Sequence, residues 1–106
     1  MPRAVVSTGG GARLMTVNPV DPVPAEYSLF KDEVTVGRGE DNDVVIPHAS
    51  VSRAHARLVK RNGAYELMDL NSTNGTFVDD RRLNGSQPLP NGSRVRFGDV
   101  QFILRF

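Results

Sequence analysis

The segment Val100-Gln101-Phe102-Ile103-Leu104-Arg105-Phe106 carries the clearest structural signal in the chain. Val100, Phe102, Leu104 and Phe106 alternate with Gln101, Ile103 and Arg105. Successive strand side chains point to opposite faces, so this spacing puts one apolar set on a single sheet face and predicts a core strand. Further back, short runs rich in Val, Leu, Ile, Phe and Tyr recur between clusters of Gly, Asn, Asp and Pro. They predict strands over 13–17, 25–31, 33–37, 43–46, 54–61, 64–70, 76–78, 82–83 and 94–97, about ten with the last. Asn62-Gly63 is a strong two-residue hairpin signal, because both residues tolerate the positive φ of a type I′ turn. Asn91-Gly92 and Gly98-Asp99 mark further turns. No stretch has helical spacing and there is no internal repeat. The pattern predicts an all-β sandwich or barrel of mainly antiparallel strands, with functional loops clustered at one end.

Size and composition agree. A chain of 106 residues, 39% apolar and 24% charged, suits one globular domain with its own core. The expected division is a flexible N-terminal segment, residues 1–11, ending in Ser7-Thr8-Gly9-Gly10-Gly11, followed by one domain over 12–106. The absence of cysteine excludes disulfides, thiolate nucleophiles and cysteine metal sites, and fits a cytoplasmic setting. No apolar run reaches the roughly 18 residues of a membrane helix, and no secretory signal is expected. Thirteen basic and 12 acidic residues leave a net charge of +1, too balanced for a general nucleic-acid or membrane surface. Any anion selectivity is therefore local.

Three polar segments at strand ends supply it: Gly37-Arg38, Ser52-Arg53-Ala54-His55 and Asn71-Ser72-Thr73-Asn74-Gly75-Thr76. Together they offer guanidinium, hydroxyl, amide and turn N–H donors, which suit a phosphate and a peptide backbone.

In this order and spacing the chain resembles the forkhead-associated (FHA) domain, a β-sandwich family that binds phosphothreonine peptides. The likeness covers residues 12–106. It runs through Gly37-Arg38, Asn42-Asp43 with Val44-Val45-Ile46, Ser50-Val51-Ser52-Arg53-Ala54-His55-Ala56, Asp69-Leu70-Asn71-Ser72-Thr73-Asn74-Gly75-Thr76-Phe77-Val78, and Gly98-Asp99. The resemblance implies about eleven strands. It also implies that Arg38 and Ser52 hold the phosphate with Thr73 beside it, that Arg53 is a further phosphate contact, and that Asn74 hydrogen-bonds the ligand backbone. Gly37, His55 and Gly75 are implied as structural support. The implied partners are phosphothreonine-containing substrates of Ser/Thr kinases, met by a module of a larger multidomain protein. A phosphate-independent protein-interaction or scaffold domain is the alternative.

Other chemistries fit poorly. Ser52, His55 and Asp69 are the residue types of a hydrolase triad, but no Gly-x-Ser-x-Gly elbow accompanies them, so no enzyme is expected. His48 and His55 lack a clear third metal ligand, and neither metal nor cofactor is expected. Lys60-Arg61 and Arg81-Arg82 flank turns without interleaved aromatics and read as solvated loop charges rather than a nucleic-acid site.

Overall fold

Alternating apolar side chains give short strands that bury one face each, and two such sheets close on a shared core. The computed structural model describes residues 11–19 and 21–106. Of the expected N-terminal segment only Gly11 lies within them. The strands are β1 (Ala12–Thr16), β2 (Glu26–Leu29), β3 (Glu33–Gly37), β4 (Val44–Val45), β5 (Ala56–Arg61) and β6 (Ala64–Asp69). They continue with β7 (Thr76–Val78), β8 (Arg81–Arg82), β9 (Ser86–Leu89), β10 (Arg94–Phe97) and β11 (Val100–Arg105). One sheet has the order β2-β1-β11-β10-β7-β8 and the other β4-β3-β5-β6-β9. All pairs are antiparallel except β3 with β4. Leu14, Phe97, Phe102 and Leu104 from the first sheet meet Val36, Leu58 and Leu67 from the second, all at 1% exposure or less. This is the expected all-β sandwich.

The differences from expectation have local causes. The sequence does not signal β9, because Asn84-Gly85 and Pro88 look like loop. It forms at the edge beside β6, with Pro88 opposite Glu66, where a proline without an N–H is tolerated. The short strand expected at 82–83 is Arg81–Arg82 instead, since Asp79 and Asp80 take φ of 49° and 70° and close a two-residue turn that pairs Val78 with Arg81. β5 starts at Ala56 rather than Ala54, because the carbonyl of Arg53 turns away to accept from Gly39 N and Asn42 Nδ2. Phe106 falls outside β11 and is 39% exposed; its ring lies against Tyr65, with centroids 5.3 Å apart. The turn signals hold: Asn62 and Gly63 both have positive φ, and Gly98 has φ 60° in the β10–β11 turn.

Candidate functional site

The three polar segments meet at one end of the sandwich through hydrogen bonds between loops far apart in sequence. Arg38 N donates to Ser52 O at 2.9 Å, joining the end of β3 to the segment before β5. Thr73 N donates to Ser52 Oγ at 2.9 Å and Asn74 Nδ2 to Ser50 O at 2.8 Å, so the β6–β7 loop lies against the same segment. Gly98 N reaches Gly75 O at 3.0 Å, and Asp99 N reaches Ser50 Oγ at 2.8 Å, adding the β10–β11 turn.

Arg38 is exposed and anchored through one nitrogen only. Its Nε donates to Val51 O at 3.0 Å, which fixes the plane of the guanidinium while the two terminal nitrogens have no partner among the described residues. Ser52 Oγ accepts from Thr73 N, so its hydroxyl proton is free to donate outward. The hydroxyl of Thr73 and the guanidinium of Arg53 make no hydrogen bond among the described residues, and both residues are exposed. Asn74 uses one amide proton on Ser50 O and keeps its carbonyl oxygen and second proton for another partner.

His55 joins these loops from below. It is fully buried. Its Nδ1 accepts from Ser52 N at 3.0 Å, which makes the other nitrogen the protonated one, and Nε2–H donates to Gly75 O at 2.9 Å. Its backbone N donates to Val36 O, and its carbonyl accepts from Leu70 N. The ring stands edge-on to Phe97, with centroids 5.6 Å apart. With both ring nitrogens committed to backbone, Ser52 Oγ has no imidazole base in this arrangement.

Two glycines are dictated by close approach. A Cβ on Gly37 would lie 2.2 Å from Arg53 O, and Gly75 takes φ 92° under the side chains of Arg82 and Phe77.

Asp69 stands in the sequence within the FHA-like stretch and among the residue types of a triad, and the structure gives it a different role. Its carboxylate accepts from Ser72 Oγ and Thr76 Oγ1, each at 2.6 Å, and from Ser72 N at 3.1 Å, while Ser72 Oγ accepts from Gly75 N at 3.0 Å. This folds the β6–β7 loop so that Thr73 and Asn74 point outward. Asn42 does the same for the other side, donating from Nδ2 to Gly39 O and Arg53 O. An Asp followed three residues later by Ser is the signal that could have found the first lock.

These buried polar groups make stability depend on pH. Burial lowers the pKa of His55 from its ordinary 6.5, outweighing the Gly75 carbonyl and the Asp69 charge, which both favour the cation. The unfolded imidazole therefore binds a proton more readily than the folded one. The contribution of His55 is present in full above pH 6.5 and falls as the pH drops toward its folded pKa. For Asp69 burial pushes upward, but hydrogen bonds from Ser72 and Thr76 together with the proximity of His55 bring its pKa below the ordinary 3.8. Its contribution is present above that value and disappears as pH falls through the folded pKa. Calorimetry across pH is expected to give a melting temperature that declines below pH 6.5 and more steeply below 3.8. A melting temperature that rises on acidification from pH 6.5 would contradict the assignment.

Among the described residues no helix is long and apolar enough to cross a membrane, and no group of three or more His, Cys, Asp or Glu residues could hold a metal ion.

Comparison with known proteins places this arrangement. The chain is 30% identical over 99 residues to the oxoglutarate dehydrogenase inhibitor of Corynebacterium diphtheriae, covering 93% of this chain and 68% of the inhibitor. It superposes on Mycobacterium tuberculosis EmbR, solved in complex with a low-affinity phosphopeptide, with a TM-score of 0.80 and 32% identity over 90% of this chain and 24% of EmbR. A structure from a study of phosphothreonine-dependent FHA domain interactions matches with a TM-score of 0.79 and 30% identity, covering 92% of this chain and 97% of that one. The chain spans only 61% of the mycobacterial FHA domain-containing protein FhaB and 8% of a mycobacterial ABC transporter ATP-binding/permease protein. The family profile of the FHA domain matches residues 34–98, from within β3 to the β10–β11 turn that closes against the polar loops, and by sequence and by fold the chain belongs to the FHA domain family.

Proposed function

We propose that this chain is a phosphothreonine-recognition module that binds phosphorylated segments of partner proteins and catalyses no reaction. The observation that carries the reading is the half-committed Arg38 guanidinium, oriented by Val51 O and open at its outer nitrogens, beside a Ser52 hydroxyl that accepts from Thr73 N and keeps its own proton to donate. A phosphothreonine carries nearly two negative charges at neutral pH and three acceptor oxygens, and a guanidinium fork meets two of those oxygens in parallel. Ser52 Oγ–H and the Thr73 hydroxyl donate to the rest. Arg53 adds a second cation, and the free carbonyl and N–H of the Asn74 amide pair with the ligand backbone. Gly37, His55 and Gly75 keep the loops in register without touching the ligand.

The partners are phosphothreonine-bearing proteins modified by a Ser/Thr kinase, met in the cytoplasm. Residues 12–106 act as the recognition domain of a longer protein.

Titration with matched phosphothreonine, phosphoserine and plain threonine peptides tests the reading. The phosphothreonine peptide is expected to bind, and the plain peptide to bind at least about a hundredfold more weakly, because two charge-assisted hydrogen bonds are worth about 3 kcal/mol or more. Equal binding of phosphorylated and plain peptides would favour a phosphate-independent scaffold role instead. Ser52→Ala is expected to weaken phosphopeptide binding by about tenfold to a hundredfold, since it removes one charge-assisted donor. An unchanged affinity would take Ser52 out of the contact.

A further inference from the structure

The outward faces of the two sheets differ in how their charges are used. On the outward face of the second sheet Arg57 pairs with Glu33 at 2.7 Å and Arg61 with Glu66 at 3.5 Å, and Lys31, just before β3, pairs with Asp43 at 2.9 Å. The first sheet is different. Register places Arg82, Phe77, Arg96 and Gln101 in one outward row, Arg94, Ile103, Met15 and Glu26 in the next, and Arg105 and Arg13 in a third. That face carries five arginines and, on its strands, the single carboxylate of Glu26, which approaches Arg13 at 3.7 Å. Asp79, at the β7–β8 turn, spends one carboxylate oxygen on Arg94 N. Arg82, Arg94, Arg96 and Arg105 have no carboxylate partner among the described residues.

We propose that this face binds an acidic stretch of the same partner whose phosphothreonine occupies the loops, a proposal that rests on the phosphothreonine reading above. Continuity supports it: Arg82 and Phe77 lie directly over Gly75, the residue after Asn74, so the arginine rows begin where the loop site ends. Spacing supports it too. Arg94 and Arg96 occupy alternate positions of β10, about 6.8 Å apart, which is the repeat of same-side carboxylates in an extended acidic segment. Guanidinium forks suit carboxylates, and the plane of Arg96 is preset by stacking on Phe77 at 3.8 Å and by donation to Gly98 O at 2.9 Å. The apolar residues of the face argue against a membrane or a nucleic acid. Phe77, Met15 and Ile103 are half-buried between the arginines, and the ring of Phe77 is covered by Arg96, which leaves no protruding wedge for lipid and no open aromatic for a base.

The test compares a short phosphothreonine peptide having neutral flanks with the same peptide extended by a glutamate-rich tail at either end. Each is titrated into the native chain and into the triple variant Arg82→Gln, Arg94→Gln, Arg105→Gln, whose altered residues are all exposed. At low salt at least one tailed peptide is expected to bind the native chain about five- to tenfold more tightly than the short one. That gain should shrink at physiological salt and vanish in the triple variant, while the short peptide binds both proteins alike. The absence of any gain, or a gain that survives the triple substitution, overturns the proposal. So does a short DNA duplex or a phosphatidylserine vesicle that binds the native chain more tightly than the tailed peptide and is lost in the variant. If no phosphopeptide binds, the phosphothreonine reading fails by itself. The unphosphorylated glutamate tail alone then decides: binding at low salt that the triple variant loses supports the acidic-segment surface, and no binding removes it.

Discussion

Replacing Arg38 with alanine is expected to abolish phosphopeptide binding, raising Kd by at least about a hundredfold, while the domain stays folded. The two effects separate because the Arg38 side chain is exposed and makes a single hydrogen bond, to Val51 O, whereas its backbone N–H, which holds the loop to Ser52 O, is kept in the variant. Surface changes of this kind usually shift stability by about 0.5 kcal/mol or less. Arg38→Lys restores the charge but not the fork, and is expected to recover only part of the affinity. Calorimetric titration alongside thermal unfolding checks both. If the melting temperature collapses together with the affinity, Arg38 is holding the fold rather than the ligand.

His55→Ala should behave in the opposite way. The imidazole satisfies Ser52 N and Gly75 O at once from a fully buried position, and its removal strands the first donor, takes one of two donors from the second, and opens a cavity against Phe97. A loss of about 3–5 kcal/mol is expected, a large part of the stability of a domain of this size. The melting temperature should fall by more than about 10 °C, with weakened phosphopeptide binding as a secondary result of loosened loops. Because the folded state favours the neutral ring, the variant should also lose the part of the acid sensitivity that begins at pH 6.5. A variant that melts like the parent but no longer binds would move His55 from support to ligand contact.

Both predictions turn on how separate turns are brought together, and here sequence and tertiary structure divide the work. Local chemistry was legible wherever a residue type does something by itself. Alternation in β11 marked a core strand, Asn62-Gly63 marked a hairpin, and the polar segments around Arg38, Ser52 and Asn74 stood out at strand ends. β9 was not legible, because its pairing with β6 is a long-range choice that overrides the local signals of Gly85 and Pro88. Asp79-Asp80 was equally opaque, since a tight turn built from two aspartates at positive φ lacks the usual glycine.

The amino-acid order alone therefore determined the fold class, the segments whose donors suit a phosphate and the absence of cysteine chemistry, because periodicity and donor type are properties of single segments. Tertiary structure decided what each polar residue does. Only the packed sandwich spends both nitrogens of His55 on backbone, turns Asp69 into a clasp for the β6–β7 loop, leaves the outer nitrogens of Arg38 open, and lines up five arginines from β1, β8, β10 and β11 on one face. The physical reason is that hydrogen-bond commitment and charge pairing depend on neighbours distant in sequence, and those neighbours exist only once the sheets have closed.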